Sequence, residues 1–323
     1  MKPVVWGVST LVLFSHFLFS HSGFAQQYPA KPVRTIMTIA GGADVVARLV
    51  AQGLTETLGQ PFIVEAQAGA GGAVGAEMVA RAAPDGHTIM LVAAANIVGR
   101  QFLVKNQSYD AIKSFTPIAK VADTVLVIIA PANSPFNSMR DVIEYAKKNP
   151  NKISYGTSGI GTNHHLSAEV IRMMTGIDWV HVPYKGGPPV VTDTISGQIQ
   201  VGFSILATIS PFLKSGKLKM LAVNNANRYP LIPEVSTVAE QLPGYDVPPG
   251  WMGYFGPAGM PPAIVQRLNS EIVRIMNSPD VRGKAANIGF VASTTGADEF
   301  ATMIKSNLVV MAKLIKAAGI EPE

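Results

Sequence analysis

Four stretches of this chain bring glycine and hydroxyl residues to the mouth of a helix. The fullest is QAGAGGAVGAEMVARAAPDGHTIML, Gln67 to Leu91, where a glycine turn runs into an alanine-rich helix and then an apolar strand. A dinucleotide unit would need GxGxxG after a strand and an acidic residue about 20 positions on to hold a ribose. Gly69, Gly71 and Gly75 read GxGxxxG, and the next strand ends in Ala94, Ala95 and Asn96 with no acid. No GxxxxGK[ST] phosphate loop occurs. What the pattern retains is general: free N–H groups and the positive end of a helix dipole suit an anion.

The usual catalytic constellations fail in the same way. In YGTSGIGTNHHL, a GxSxG nucleophile elbow would need glycine where Ile160 stands. His164 and His165 are adjacent, so on a helix their side chains diverge and do not share one ion. His165 and Glu169 are four apart, a pair too small for a metal site. Asp44 and Arg48 are one helical turn apart and read as a surface ion pair. What remains is the set of four loops: AGGAD (Ala40–Asp44), AGAGGA (Ala68–Ala73), TSGIGTN (Thr157–Asn163) and YKGGPP (Tyr184–Pro189). Each follows a strand and opens a helix. In open α/β sheets such loops lie at the carboxyl ends of the strands, where ligands bind. Glycine in such turns is also ordinary turn chemistry, but four loops without a catalytic set favour a binder over an enzyme.

The elements that position these loops alternate through most of the chain. VRTIMTIA, PFIVE and TIMLVAA read as strands, separated by helices over ADVVARLVAQGLTETLG and Gly72–Ala82. FTPIAKVA and TVLVIIAP follow, then a helix whose start Ser138 and Asp141 cap and whose end Pro150 marks. A second series runs KISYG, helix Thr162–Met174, DWVHVPY, helix Val190–Ser196, strand Val201–Ser204, helix Ser210–Ser215 and LKMLAVN. Such alternation predicts βαβ units and parallel sheets. Ala226–Gly250 has no clear period and reads as a return connection, and helices over Pro261–Asn277 and Ala297–Ala318 read as a cover on the first domain.

Composition bounds the rest. Lys2, the apolar run Val4–Phe19 and the small residues Gly23 and Ala25 predict a cleaved export signal over residues 1–25. The apolar run is shorter than the roughly 20 residues a membrane span needs. Loss of Lys2 takes the formal charge from +5 to +4, mildly basic, and the basic residues are scattered without aromatic platforms. That pattern argues against nucleic acid as a partner. The chain has no cysteine, so it is held by its core, to which a 48% hydrophobic content contributes.

YPAKPVRTIM, GGADVVARLVAQGL, GAGGAVGAEMVARAAPDGHTIML, FTPIAKVA, HVPYKGGPP, GKLKMLAV, PEVSTVAEQLPGY, GPAGMPPAIVQRLN and AAGIEPE occur in this order. Together they resemble the Bug-type extracytoplasmic solute receptors of tripartite tricarboxylate transporters, over essentially the whole chain after residue 25. The resemblance implies a type II periplasmic binding fold: two doubly wound α/β domains joined by a hinge, with the ligand cleft between them. The first domain would comprise 26–128 and 226–323, and the second 129–225. It further implies a monomeric periplasmic protein without cofactor or metal. It would capture a small organic carboxylate by loop N–H groups, hydroxyls and waters rather than by an arginine, and deliver it to membrane permease subunits. Some family members serve sensing instead. Carried onto this chain, the contacts are Gly41, Gly42, Ala43 and Asp44; Gly69, Ala70 and Gly71; Ala95; Ser158, Gly159, Thr162 and His164; Tyr184, Lys185 and Gly186; and Ser204. Three departures stand out. The first loop is shorter by about two residues and lacks its proline. Ala66 replaces the usual asparagine, and Ser204 stands where a carboxylate is frequent. A secreted α/β hydrolase with an unrecognised site is the enzyme alternative.

Overall fold

The computed structural model describes residues 28–39, 43–225 and 227–322. The expected signal segment and the glycines Gly41 and Gly42 lie outside them.

The first sheet is built from β1 (Val33–Met37), β2 (Phe62–Ala66), β3 (Thr88–Ala93), β4 (Phe115–Thr124), β10 (Trp251–Pro257) and β11 (Phe290–Ala292), in the order β11-β4-β10-β3-β1-β2. The second contains β5 (Leu126–Pro131), β6 (Ser154–Thr157), β7 (Val180–Pro183), β8 (Val201–Ile205) and β9 (Leu218–Val223), in the order β7-β6-β8-β5-β9. The chain therefore crosses between sheets at Val125, and β5 lies whole in the second sheet although the sequence reading broke it after residue 128. It returns between β9 and β10.

β1 pairs in parallel with β2 and β3, and β6 in parallel with β7 and β8. The crossovers are α1 (Ala43–Leu58) and α2 (Ala73–Ala80) on the first sheet, and α5 (Asn163–Thr175) and α6 (Gly187–Ser196) on the second. The expectation of parallel sheets throughout is corrected: β10 is antiparallel to β3 and β4, and β5 is antiparallel to β8 and β9. Both strands enter their sheet from the other lobe. With no crossover helix on their own sheet, the geometry that forces parallel pairing does not act on them.

β10 was also missed as a strand. WMGYFGP carries two glycines and a proline, which hide the strand signal, yet all seven residues are buried. Gly253 is required there, because a Cβ would run into the Phe300 ring and approach the Ala119 carbonyl to 3.0 Å. Phe300 belongs to α11 (Ala297–Ala317), which with α9 (Pro262–Met276) packs on β4. The tail is more than a helical cover, since it also supplies α10 (Pro279–Asn287) and β11 at the sheet edge.

Three shorter helices complete the positioning frame: α3 (Ala94–Ile97) after β3, α4 (Met139–Lys148) after β5, and α7 (Leu206–Lys214) after β8. Among its described residues the return connection holds one helix, α8 (Val238–Gln241), opened by a capping box between Thr237 and Glu240.

Candidate ligand-binding site

In the first lobe, the loop between β2 and α2 is a tight turn over Gly69–Gly72 in which Ala70 (φ 50, ψ 45), Gly71 (φ 64, ψ 33) and Gly72 (φ 86) are all left-handed. A Cβ at Gly72 would sit 2.9 Å from both the Thr38 carbonyl and Asn96 Nδ2. A Cβ at Gly75 would sit 2.9 Å from the Gln67 carbonyl. These glycines thus serve a turn and a close helix–strand approach, which accounts for their off-pattern spacing. Asn96 of α3 donates to the Gly71 carbonyl and ties the turn to the end of β3; its own carbonyl accepts from Tyr109 Oη at 2.7 Å. Ala95 precedes it on the same short helix. Ala43 is buried at the start of α1, and Asp44 is engaged by Arg48 at 2.8 Å on an exposed face, as the spacing predicted.

The second lobe carries a denser polar site. Ser158 Oγ lies 2.7 Å from His164 Nδ1, while His164 Nε2 and Ser204 Oγ are buried without hydrogen-bond partners. Burial lowers the His164 pKa to about 4, opposed by the Ser204 carbonyl, so the imidazole is neutral at pH 7. When the Ser158 hydroxyl donates to Nδ1, the ring proton sits on Nε2, a buried N–H near the Ser204 backbone. Gly187 closes over Ser204: a Cβ there would lie 3.7 Å from Ser204 Oγ and 3.6 Å from Thr208 Oγ1.

The other carried-over residues have different surroundings. Thr162 is the N-cap of α5, accepting from the His165 N–H at 3.4 Å. Its own hydroxyl donates to the Gly159 carbonyl at 2.8 Å, so its one proton is spent inside the loop. Tyr184 Oη donates to Asp193 at 2.6 Å, within its own lobe. Lys185 is exposed. The Gly186 N–H donates to the Ser158 carbonyl at 3.3 Å and stitches the two second-lobe loops together.

Sequence reading missed what supports this loop. His165 and His181 stack at 4.1 Å, and Tyr155 stacks on His181 at 4.9 Å. His181 Nε2 lies 2.7 Å from Thr157 Oγ1, and His165 Nδ1 accepts from the Gly161 N–H at 3.0 Å. The two rings therefore hold both ends of the loop 157–162. Both have lowered pKa values, mainly through burial, His181 to about 4. Glu169 sits 3.9 Å from His165 Nε2 but is held by Tyr155 Oη at 3.0 Å and Arg172 at 2.8 Å. Among the described residues no three His, Cys, Asp or Glu side chains gather to hold a metal ion.

The two lobes meet where the 3-10 turn Gly99–Phe102 approaches the loop 157–162. A Cβ on Gly99 would lie 3.6 Å from the Gly161 carbonyl, and the Leu103 side chain packs directly on Gly161. Asn163 Nδ2 also donates to the Pro248 carbonyl at 3.2 Å. Residues 96–103 have no periodic pattern, so sequence reading gave them no role.

The family model described as tripartite tricarboxylate transporter family receptor (TctC) matches residues 46–320. Among solved structures, the chain is similar to Rpa4515 of R. palustris, described with adipate. The TM-score is 0.83 at 29% identity, covering 92% of this chain and 100% of that one. It is similar to the periplasmic binding protein BugD, with a TM-score of 0.79 at 32% identity over 92% of this chain and 100% of that one. MatC from Rhodopseudomonas palustris, described with bound malate, matches with a TM-score of 0.75 at 27% identity, over 89% and 100%.

Proposed function

The chain belongs to the tripartite tricarboxylate transporter receptor (TctC) family, and on that premise we propose that it is a periplasmic receptor that captures a small organic carboxylate between its two lobes. The observation that carries the reading is the pair of buried, unpartnered groups His164 Nε2 and Ser204 Oγ under the second-lobe loops. A buried polar group without a partner costs about 1–3 kcal/mol, and a carboxylate oxygen seated there would remove that cost. A neutral imidazole N–H and a hydroxyl bind an anion without first having to shed a counter-charge. The N-terminus of α5 adds a positive dipole end on the same side. The two similar proteins described with ligands carry adipate and malate, both dicarboxylates.

In this reading, residues 28–124 with 251–322 form one lobe and 126–223 the other, and the segments near Val125 and 224–250 act as the hinge. The contact set is Ser158, His164 and Ser204 with the loop backbone at Gly159 and Gly186, facing the Gly69–Gly71 turn and Ala95. Thr162 and Tyr184 shape the loops rather than touch the ligand. The protein acts as a monomer and hands its ligand to membrane permease subunits of a tripartite tricarboxylate-type transporter. The family is one of solute receptors, and no catalytic role is assigned.

Thermal shift followed by calorimetry tests the proposal, with malate, adipate, citrate, benzoate and glutamate as probes. A ligand at 100 times its Kd stabilises by about 2.7 kcal/mol, a readily measured rise in Tm. His164→Ala and Ser204→Ala should each weaken the bound carboxylate about tenfold or more. Absence of binding to every acid in the panel would overturn the receptor assignment.

A further inference from the structure

Arg100 stands at the junction of the two lobes. It lies in the turn Gly99–Phe102, whose first residue approaches the Gly161 carbonyl of the second lobe. Its guanidinium turns back toward the first-lobe loop: Nη1 is 3.5 Å from where a Cβ on Gly71 would be. Its Nε donates to Gln107 Oε1 at 3.0 Å, which fixes the direction of the side chain. Gly71 is exposed and without a side chain, so the guanidinium edge facing it is open.

A guanidinium in such a place would normally be neutralised, yet among the described residues none of the ion pairs includes Arg100. Glu77, which shares Tyr109 as a neighbour with Arg100, is engaged by Ser108 and lies 3.7 Å from Arg81. The arginine is half-buried and anchored, with free donors beside a loop rich in left-handed glycine. Across the junction, the second lobe offers only neutral donors, His164 and Ser204.

We propose that Arg100 is a specificity-determining residue of the cleft: its guanidinium takes one carboxylate of the ligand in a charge-assisted pair, while the second-lobe donors take the other polar end. This departs from recognition by neutral groups alone, which the family resemblance implied. The inference rests on the receptor reading above and makes it sharper: the ligand is a dianion rather than a monocarboxylate, because each lobe then engages one end.

The test compares wild type, Arg100→Gln and Arg100→Lys by calorimetry, using whichever of malate, adipate and citrate binds the wild type most tightly, alongside its fully amidated analogue. Loss of a charge-assisted, fork-shaped pair should weaken the diacid about tenfold to a hundredfold in Arg100→Gln. Arg100→Lys should restore only part of the loss, since an ammonium cannot form the fork. The fully amidated analogue should bind both forms within about threefold of each other, because it offers the guanidinium no carboxylate. An unchanged Tm without ligand shows that the variants are folded. Equal weakening of the acid and its fully amidated analogue, or an acid affinity in Arg100→Gln within about threefold of wild type, overturns the role of Arg100 and leaves the receptor reading intact. Failure of the wild type to bind any of the three acids overturns both.

Discussion

His164 is nearly enclosed at 8% exposure and held neutral with a pKa near 4, well below the ordinary histidine value of 6.5. The folded pKa lies below the unfolded one, so between about pH 6.5 and 4 the unfolded chain binds more protons. Stability therefore falls as pH drops through that window and levels off below it. One group with this shift contributes about 3 kcal/mol across the window. Denaturant titrations at pH 7, 5.5 and 4.5 should show His164→Asn less acid-sensitive than wild type, with His181 sustaining part of the slope in both. Equal slopes would mean that His164 is solvated enough to titrate normally. Lys185 makes the opposite case. It is exposed in its glycine-rich loop, so Lys185→Ala should change carboxylate affinity by less than about tenfold; a loss of several hundredfold would place the charge recognition there instead of at Arg100. Single residues of this kind were only partly legible in the sequence. HH at the mouth of a helix marked a polar site, but which ring would be buried and which stacked depends on β7 and β8, far away in the chain.

At the scale of elements, the loops were legible because glycine, hydroxyl residues and helix starts are local signals. The N-cap at Thr162 and the Asp44–Arg48 pair both lie where their spacing put them. What local signals could not give is the use of a side chain by its neighbours. Thr162 has one proton and spends it on the Gly159 carbonyl, so its part is to shape the loop. Thr162→Ala should cost about 1 kcal/mol of stability, while Thr162→Ser should leave Tm unchanged. A Thr162→Ala protein with full stability but no carboxylate binding would return the hydroxyl to the ligand. Strand β10 was illegible for a related reason. Its Gly253 exists to admit Phe300, a residue 47 positions on, and no window of local sequence contains that requirement. Gly253→Ala should destabilise by about 1–3 kcal/mol through overpacking, read by denaturant midpoint. A neutral Gly253→Ala would mean that the Phe300 ring moves aside at little cost.

Across the whole molecule, the two-lobed plan was legible from two runs of strand–helix alternation, whereas the antiparallel strands were not, because direction is decided by which lobe a strand arrives from. The same crossings make the molecule a hinge. Its lobes touch at Leu103 on Gly161, at Leu166, which joins the first-lobe core beside α11, and where Gly289 lies against the Leu206–Ala207 backbone. A ligand shifts the balance of open and closed forms only by its differential affinity for the two. Leu103 packs on Gly161 of the other lobe and on the edge of its own lobe's core, so Leu103→Ala should favour the open form at a modest cost in stability. If the contact contributes about 1 kcal/mol, the closed-to-open ratio falls about fivefold and the apparent carboxylate affinity falls by up to that factor. Small-angle scattering should then show a larger radius for ligand-free Leu103→Ala than for ligand-free wild type. Saturating ligand should bring both to the same compact value, at a higher concentration for the variant. Were Leu103→Ala to keep wild-type affinity and radius, the junction at Gly161 would be a passive contact, and closure would have to be governed by the hinge segments at Val125 and 224–250 instead.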